Sequence, residues 1–276
     1  MPATPEIVNT GLRVCVPLIA AGTGTWHEHG AMYTLCRDCF HLSDDEVWGS
    51  KSKIDKLEYW YWISLFSVRY SEGQNQECVK DISDLGRFLY EGENKYKASI
   101  QKILNREELV TESILLRKNV EDKVFEPKSI RMAILQFILS TRPYDFCIPS
   151  QEQDTPKLSA WRIANGIETE IHHIIPLGHA TTIGESTREL RDKPYHVLNS
   201  ALNLAYISKQ ANSALSATSP QEYTPMIEHL ANSSHCLPTP QTFRDNLEHK
   251  HYDNILKERF NLIMQTIKQK LQTLNP

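Results

Sequence analysis

No apolar run in the sequence approaches the roughly 20 residues needed to cross a bilayer. The longest, at 14–21 and 134–139, stop well short, so a membrane-spanning helix is excluded at the level of pattern. No basic region precedes the first apolar stretch, which follows Met1-Pro2-Ala3-Thr4-Pro5-Glu6; a secretory leader is not expected and a cytoplasmic setting is. Cysteine is sparse, six in 276 residues with one close pair, which is not the density of a disulfide-stapled secreted domain. An excess of positive charge is also missing. Lys and Arg number 30 against 34 acidic residues, for a formal net charge of −4, so any nucleic-acid contact must rest on a local patch. Nor is there a phosphate loop: Gly22-Thr23-Gly24-Thr25 leads into Trp26-His27-Glu28, with no Lys-Ser/Thr pair at the required spacing.

What is present is globular material. Apolar residues make up 40% and charged residues 23%, in a chain long enough for two modest domains. From 51 to 140 the periodicity is helical: Ile54, Leu57, Tyr61, Leu65 and Val68 recur at helical spacing, with Ser52 placed to cap. Further helices are expected at 79–90, 95–104 and 107–118, and another after Pro127. The cluster Tyr59-Trp60-Tyr61-Trp62 reads as core packing ahead of base stacking. Cys36-Arg37-Asp38-Cys39, with His27, His29 and His41 nearby, has one pair at zinc-ligand spacing but no clean second pair, and its apolar neighbours fit a helix face equally well.

The polar, proline-rich stretch 143–156 is the clearest break in composition and divides the chain into domains 1–150 and 157–276. Beyond it the pattern predicts a short helix at 158–164, strands at 168–177 and 202–207, and helices at 208–217 and 220–231. A long amphipathic C-terminal helix follows, carrying Leu256, Phe260, Ile263, Ile267, Leu271 and Leu274. Its cations Lys257, Arg259, Lys268 and Lys270 read as a solvated face.

The stretch least required by packing is Glu170-Ile171-His172-His173-Ile174-Ile175-Pro176, followed some thirty residues later by Asn203-Leu204 and then Asn212. Hydrolysing a phosphodiester takes a base to activate water, a cation to stabilise developing charge, and groups that hold both. A strand bearing His-His, a loop, a second strand and a helix bearing Asn supplies these parts. Adjacent strand residues face opposite ways, so His172 and His173 can share a site only at a strand end or bulge. A carboxamide is a weak ligand, and His179 or His196 are alternatives to Asn212. The long insertion 178–195 carries Arg188, Arg191 and Lys193, with Lys209 close behind. These cations are candidates for gripping substrate, although Glu185, Glu189 and Asp192 nearly cancel them.

Ile171-His172-His173-Ile174-Ile175-Pro176, Asn203-Leu204-Ala205-Tyr206-Ile207, Asn212 and Ser219-Pro220-Gln221-Glu222-Tyr223 together resemble the HNH nuclease module of GmrSD-type restriction systems, over about residues 160–230. The stretch Lys53-Ile54-Asp55-Lys56-Leu57-Glu58-Tyr59-Trp60-Tyr61-Trp62 more loosely resembles the segment that precedes the module in such proteins, phosphorothioate-sensing SspE-type defence enzymes among them. That would make the chain the C-terminal part of something longer. The resemblance implies His173 as general base and Asn203 as the residue that braces the loop and orients it. It implies His172 and Asn212 as ligands of one divalent ion, Mg²⁺ or Mn²⁺, and DNA as substrate. It also leaves room for a nucleotide-hydrolysing domain or subunit of the same defence system. The expectation is a mainly α protein: a helical N-terminal unit and a C-terminal ββα-metal nuclease core packed with helices. A non-catalytic nucleic-acid-binding or assembly subunit and an RNA-cleaving toxin are the competing classes.

Overall fold

The computed structural model describes residues 50–67, 74–98, 111–117, 126, 128–146, 157–158, 167–181, 185–215 and 233–274. In chain order these form α1 (Lys51–Phe66), α2 (Gln74–Glu91), α3 (Glu112–Leu115), α4 (Lys128–Ser140), β1 (Thr169–His173), α5 (Thr187–Arg191), β2 (Leu204–Ser208), α6 (Lys209–Leu215), α7 (Pro240–Glu248) and α8 (Tyr252–Leu274). Helix accounts for 66% of the interpretable residues, beside a single two-stranded sheet; the chain is mainly α, as its periodicity predicts. No helix among the described residues is long and apolar enough to cross a membrane.

The described residues divide into two compact units. One holds residues 50–98, 128–137 and 267–274; the other holds 111–126 and 138–266. The units are interleaved in sequence and differ from the division into 1–150 and 157–276 drawn from composition. The physical reason lies in buried polar contacts. Arg117 and Glu126 form a buried pair at 2.9 Å. Arg117 also donates to the carbonyls of His196 and Asn199, and the Glu126 carboxylate accepts from the Ala201 amide at 3.0 Å. Removing either partner would leave a buried charge uncompensated, so Arg117 and Glu126 belong energetically with the C-terminal unit.

In the first unit α1 is buried on nearly every side, with Tyr59, Trp60, Tyr61 and Trp62 all at 3% exposure or less. The aromatic cluster is therefore core. Trp62 meets the edge of Phe137 with ring centroids 5.2 Å apart, and the polar tips of Trp60, Tyr61 and Trp62 find partners inside the unit. Trp62 donates to Glu58, which pairs with Lys270, and Tyr61 donates to Gln136. Ser50, not Ser52, caps α1, its hydroxyl accepting from the Lys53 amide. α2 begins at Gln74, earlier than the expected 79. Of the helices expected at 95–104 and 107–118, the described part of the second is the single turn α3, and residues 99–110 lie outside the described set. So do the Cys36/Cys39 segment, the 159–164 helix and the 220–231 helix.

In the second unit β1 and β2 pair antiparallel, with Glu170 opposite Ile207, His172 opposite Ala205 and His173 opposite Leu204. Ser208 ends β2 and caps α6, its hydroxyl accepting from the Ala211 amide, so the chain turns from strand to helix without a linker. α7 is an element the periodicity did not reveal, although Thr239 before Pro240 is a standard helix opening and the Thr239 hydroxyl does cap it. The C-terminal helix α8 forms as expected, with one correction. Arg259, read from sequence as a solvated cation, has no exposure at all. Its Nη1 donates to the carbonyls of Leu202 and Leu204, and its Nε to that of His235. Replacing it by Met keeps most of the stem volume but removes every donor from these acceptors. R259M is therefore expected to lower urea-unfolding stability by about 3 kcal/mol; a loss below about 1 kcal/mol would show that the guanidinium is not needed there.

Candidate active site

The site grows from the β1–β2–α6 unit. Residues two apart on a strand share a face, so Glu170 and His172 project together while Ile171, which is 45% exposed, projects to the other side. α6 follows β2 directly and brings Asn212 onto the Glu170–His172 face. His172 Nδ1 lies 2.7 Å from Asn212 Oδ1, and Asn212 Nδ2 donates to Glu170 Oε2 at 2.5 Å. The structure thus joins His172 and Asn212, two residues chosen from sequence, and adds Glu170, which sequence reasoning missed. The available signal was its two-residue offset from His172 on a strand. Of His179 and His196, the alternatives to Asn212, His196 accepts from the Leu198 amide at Nδ1.

Asn203 is fully buried, and its carboxamide is spent on backbone. Nδ2 donates to the carbonyls of Ile175 and Leu198 at 3.0 and 2.9 Å, and Oδ1 accepts from the Ile175 amide at 2.7 Å. The Asn203 carbonyl in turn accepts from the Ile174 amide. Both sides of the chain immediately after His173 are pinned. Asn203 thus fixes the backbone just past His173. His173 occupies the last position of β1, opposite Leu204. Pairing runs unbroken to that point, and His173 stands at the strand end, where the chain leaves the sheet.

Burial holds the His172 imidazole below its usual pKa, and the contact with Asn212 only partly offsets this. The neutral ring that results is the form able to offer a lone pair to a metal or a proton. Among the described residues no group of three or more His, Cys, Asp or Glu side chains gathers as a metal cage; the donors within reach of one another are the His172 imidazole, the Asn212 carboxamide and the Glu170 carboxylate. Behind them Phe146 meets His172 edge-on with centroids 6.2 Å apart, and His235 at 4.6 Å. His235 is wholly buried and faces the same unit's Arg259; its Nε2 donates to the Tyr144 carbonyl.

The candidate substrate cations are divided. Lys193 is paired with Glu185 and Lys209 with Glu168 at 2.6 Å, and each carboxylate raises its lysine's pKa. Arg188 and Arg191 lie exposed on α5. The insertion is better ordered than a plain loop. Ser186 and Glu189 form a capping box on α5, a Ser-x-x-Glu signature visible in the sequence. Asn199 Nδ2 donates to the carbonyls of Leu190, Arg191 and Lys193 and closes it.

The family model for the C-terminal domain of GmrSD restriction endonucleases matches residues 111–265, opening where the second unit opens. The uncharacterized protein MJ0686 of Methanocaldococcus jannaschii is 24% identical over 170 residues, a span that covers 62% of this chain and 25% of that protein. The chain thus spans about a quarter of the length of this curated relative. No solved structure matches it.

The buried His235 makes the unit sensitive to acid. Burial, its largest influence, pushes its pKa down from 6.5 to about 3. The unfolded chain takes up this proton as pH falls below about 6.5, whereas the folded chain resists until about 3. Stability should therefore drop as pH falls through that window and be unaffected by this group above it. Urea-unfolding midpoints from pH 7.5 to 4 are expected to fall in the wild type and to fall less steeply in H235N; equal slopes would contradict this.

Proposed function

The chain belongs to the family of GmrSD restriction endonuclease C-terminal domains, and from that premise we propose that its second unit is a metal-dependent HNH endonuclease that nicks or cleaves DNA as an effector of anti-phage restriction. The observation that carries this reading is the pair of asparagine contacts made across 28 and 40 residues of sequence. Asn203 grips the backbone just past His173, and Asn212 meets His172.

In this reading His173 is the general base. It takes a proton from the water whose oxygen attacks the scissile phosphorus as the 3′ oxygen leaves. Its position is set by the strand end and by the loop that Asn203 fixes, so the backbone that carries the imidazole is held before substrate arrives. His172 and Asn212 would hold one divalent ion, Mg²⁺ or Mn²⁺. Such an ion supplies positive charge to the phosphate and to the leaving oxygen. Arg188 and Arg191 are the cations on the insertion best placed to meet a phosphate backbone, because Lys193 and Lys209 are each held by a carboxylate. A nucleotide-hydrolysing domain or subunit of the same defence system would control the site.

The test is a plasmid relaxation assay in Mg²⁺ and Mn²⁺ with wild type and H173A. The variant is expected to lose at least about 10²-fold of nicking while melting at the wild-type temperature; undiminished nicking overturns the assignment. Retention of DNA by the wild type without cleavage in any divalent ion would favour a binding or assembly subunit. Digestion of RNA in preference to DNA would favour an RNA-cleaving toxin.

A further inference from the structure

Tyr144-Asp145-Phe146 lies in the stretch that composition marks as a break between domains, yet Asp145 and Phe146 are buried. A carboxylate is costly to bury unless amides satisfy it. Asp145 Oδ1 accepts from the Phe146 amide and, 63 residues away, from the Ser208 amide, each at 3.0 Å. Ser208 is the last residue of β2, and its hydroxyl caps α6. One carboxylate oxygen therefore ties this strap to the point where strand becomes helix. The strap is anchored on its other side as well. The Tyr144 amide donates to the Ser234 hydroxyl at 3.0 Å, and the Tyr144 carbonyl accepts from His235 Nε2 at 2.8 Å. Phe146 stands at 88° to the His172 ring, with centroids 6.2 Å apart, the edge-to-face arrangement that aromatic pairs favour.

α6 has only seven residues, too few for a helix to hold its own place, so its first residues decide where Asn212 falls. The Lys209 amide donates to the Glu168 carbonyl at 2.9 Å, which ties the helix start to the hairpin, and Asp145 supplies a further tie through Ser208. Asn212 Oδ1 lies 2.7 Å from His172 Nδ1, and a shift of about 1 Å would carry that pair beyond hydrogen-bond range. We propose that Asp145 and Phe146 are positioning residues of the candidate site: the Asp145 carboxylate fixes the β2–α6 corner so that Asn212 reaches His172, and the Phe146 ring sets the plane of the His172 imidazole. The proposal deepens the nuclease reading and rests on it for the purpose of the His172–Asn212 pair. The contacts themselves do not depend on an ion.

The test uses the ¹⁵N-labelled full-length chain and two readouts besides nicking: the Asn212 carboxamide signals of the metal-free protein, assigned by their loss in N212A, and Mn²⁺ affinity by titration below the melting temperature of every variant. In D145A the Ser208 amide loses its acceptor, so the Asn212 signals should move and Mn²⁺ should bind about 10–100-fold more weakly. D145N, whose side-chain oxygen still accepts from both amides, should stay close to wild type in both readouts. F146L keeps apolar volume but removes the flat ring, and should weaken Mn²⁺ binding by a smaller factor. L247A, which opens a cavity in α7 at a buried leucine, serves as the control for lost stability alone: it should melt lower while both readouts hold. The proposal is overturned by D145A with wild-type Asn212 signals and Mn²⁺ affinity, or by L247A losing as much affinity as D145A; should D145A fail to fold, F146L with wild-type affinity overturns it. A wild type that binds no Mn²⁺ overturns the metal-dependent reading and leaves the Asn212 signals to decide the positioning role. The expected signals and affinities in a chain that cleaves no nucleic acid support the positioning role while overturning the nuclease reading, so the two failures are separable.

Discussion

The carboxamide of Asn203 is the constraint on which the site depends. The segment that follows β1 is irregular, and irregular backbone cannot satisfy its own amides and carbonyls once buried. A buried carboxamide offers both donors and an acceptor at fixed geometry. Asn203 uses them on the Ile175 amide, the Ile175 carbonyl and the Leu198 carbonyl, stitching the loop after His173 to the loop before β2. Aspartate would lack the donors and leucine would lack everything but volume, so no other residue of similar size could make this stitch.

The same need recurs along the whole approach to β2 and explains why the second unit draws on distant parts of the chain. Arg117 and Glu126 supply donors and an acceptor to residues 196–201. Ser200 donates to the Leu115 carbonyl, Asn199 takes three carbonyls of the insertion, and Arg259 reaches from α8 to the carbonyls of Leu202 and Leu204. Apolar burial by Leu198, Ala201 and Leu202 drives this region inward; the long-range polar contacts make that burial tolerable. Stability and site geometry therefore share residues, and substitutions at Arg117 or Arg259 would disturb the site without touching it.

This division also accounts for what the sequence disclosed. Signals that are local in the chain were legible: the helical periods, the aromatic core of α1, the hairpin, and the C-terminal helix. Asn203 and Asn212 were legible through motif spacing, because a strand followed at once by a helix fixes the second asparagine relative to the first. What stayed hidden depends on contacts far apart in sequence. Arg259 falls among the Lys and Arg residues of an amphipathic helix, and nothing in its neighbours distinguishes a cation that caps carbonyls 55 residues away from one that faces water. The membership of Arg117 and Glu126 in the second unit was concealed in the same way, since their partners lie 75 or more residues away. Glu170 was overlooked for another reason: a carboxylate on a short strand looks like a surface residue until α6 folds back over it.

The surroundings of His172 favour the neutral ring. Burial beside Phe146 lowers its pKa, and the contact with Asn212 offsets this only in part. Were His172 and Asn212 to hold a divalent ion, as proposed above, a neutral imidazole and a neutral carboxamide would make a weak ligand pair for so hard a cation. The Glu170 carboxylate, joined to the Asn212 amide, would then add negative charge beside the ion without taking a coordination position itself.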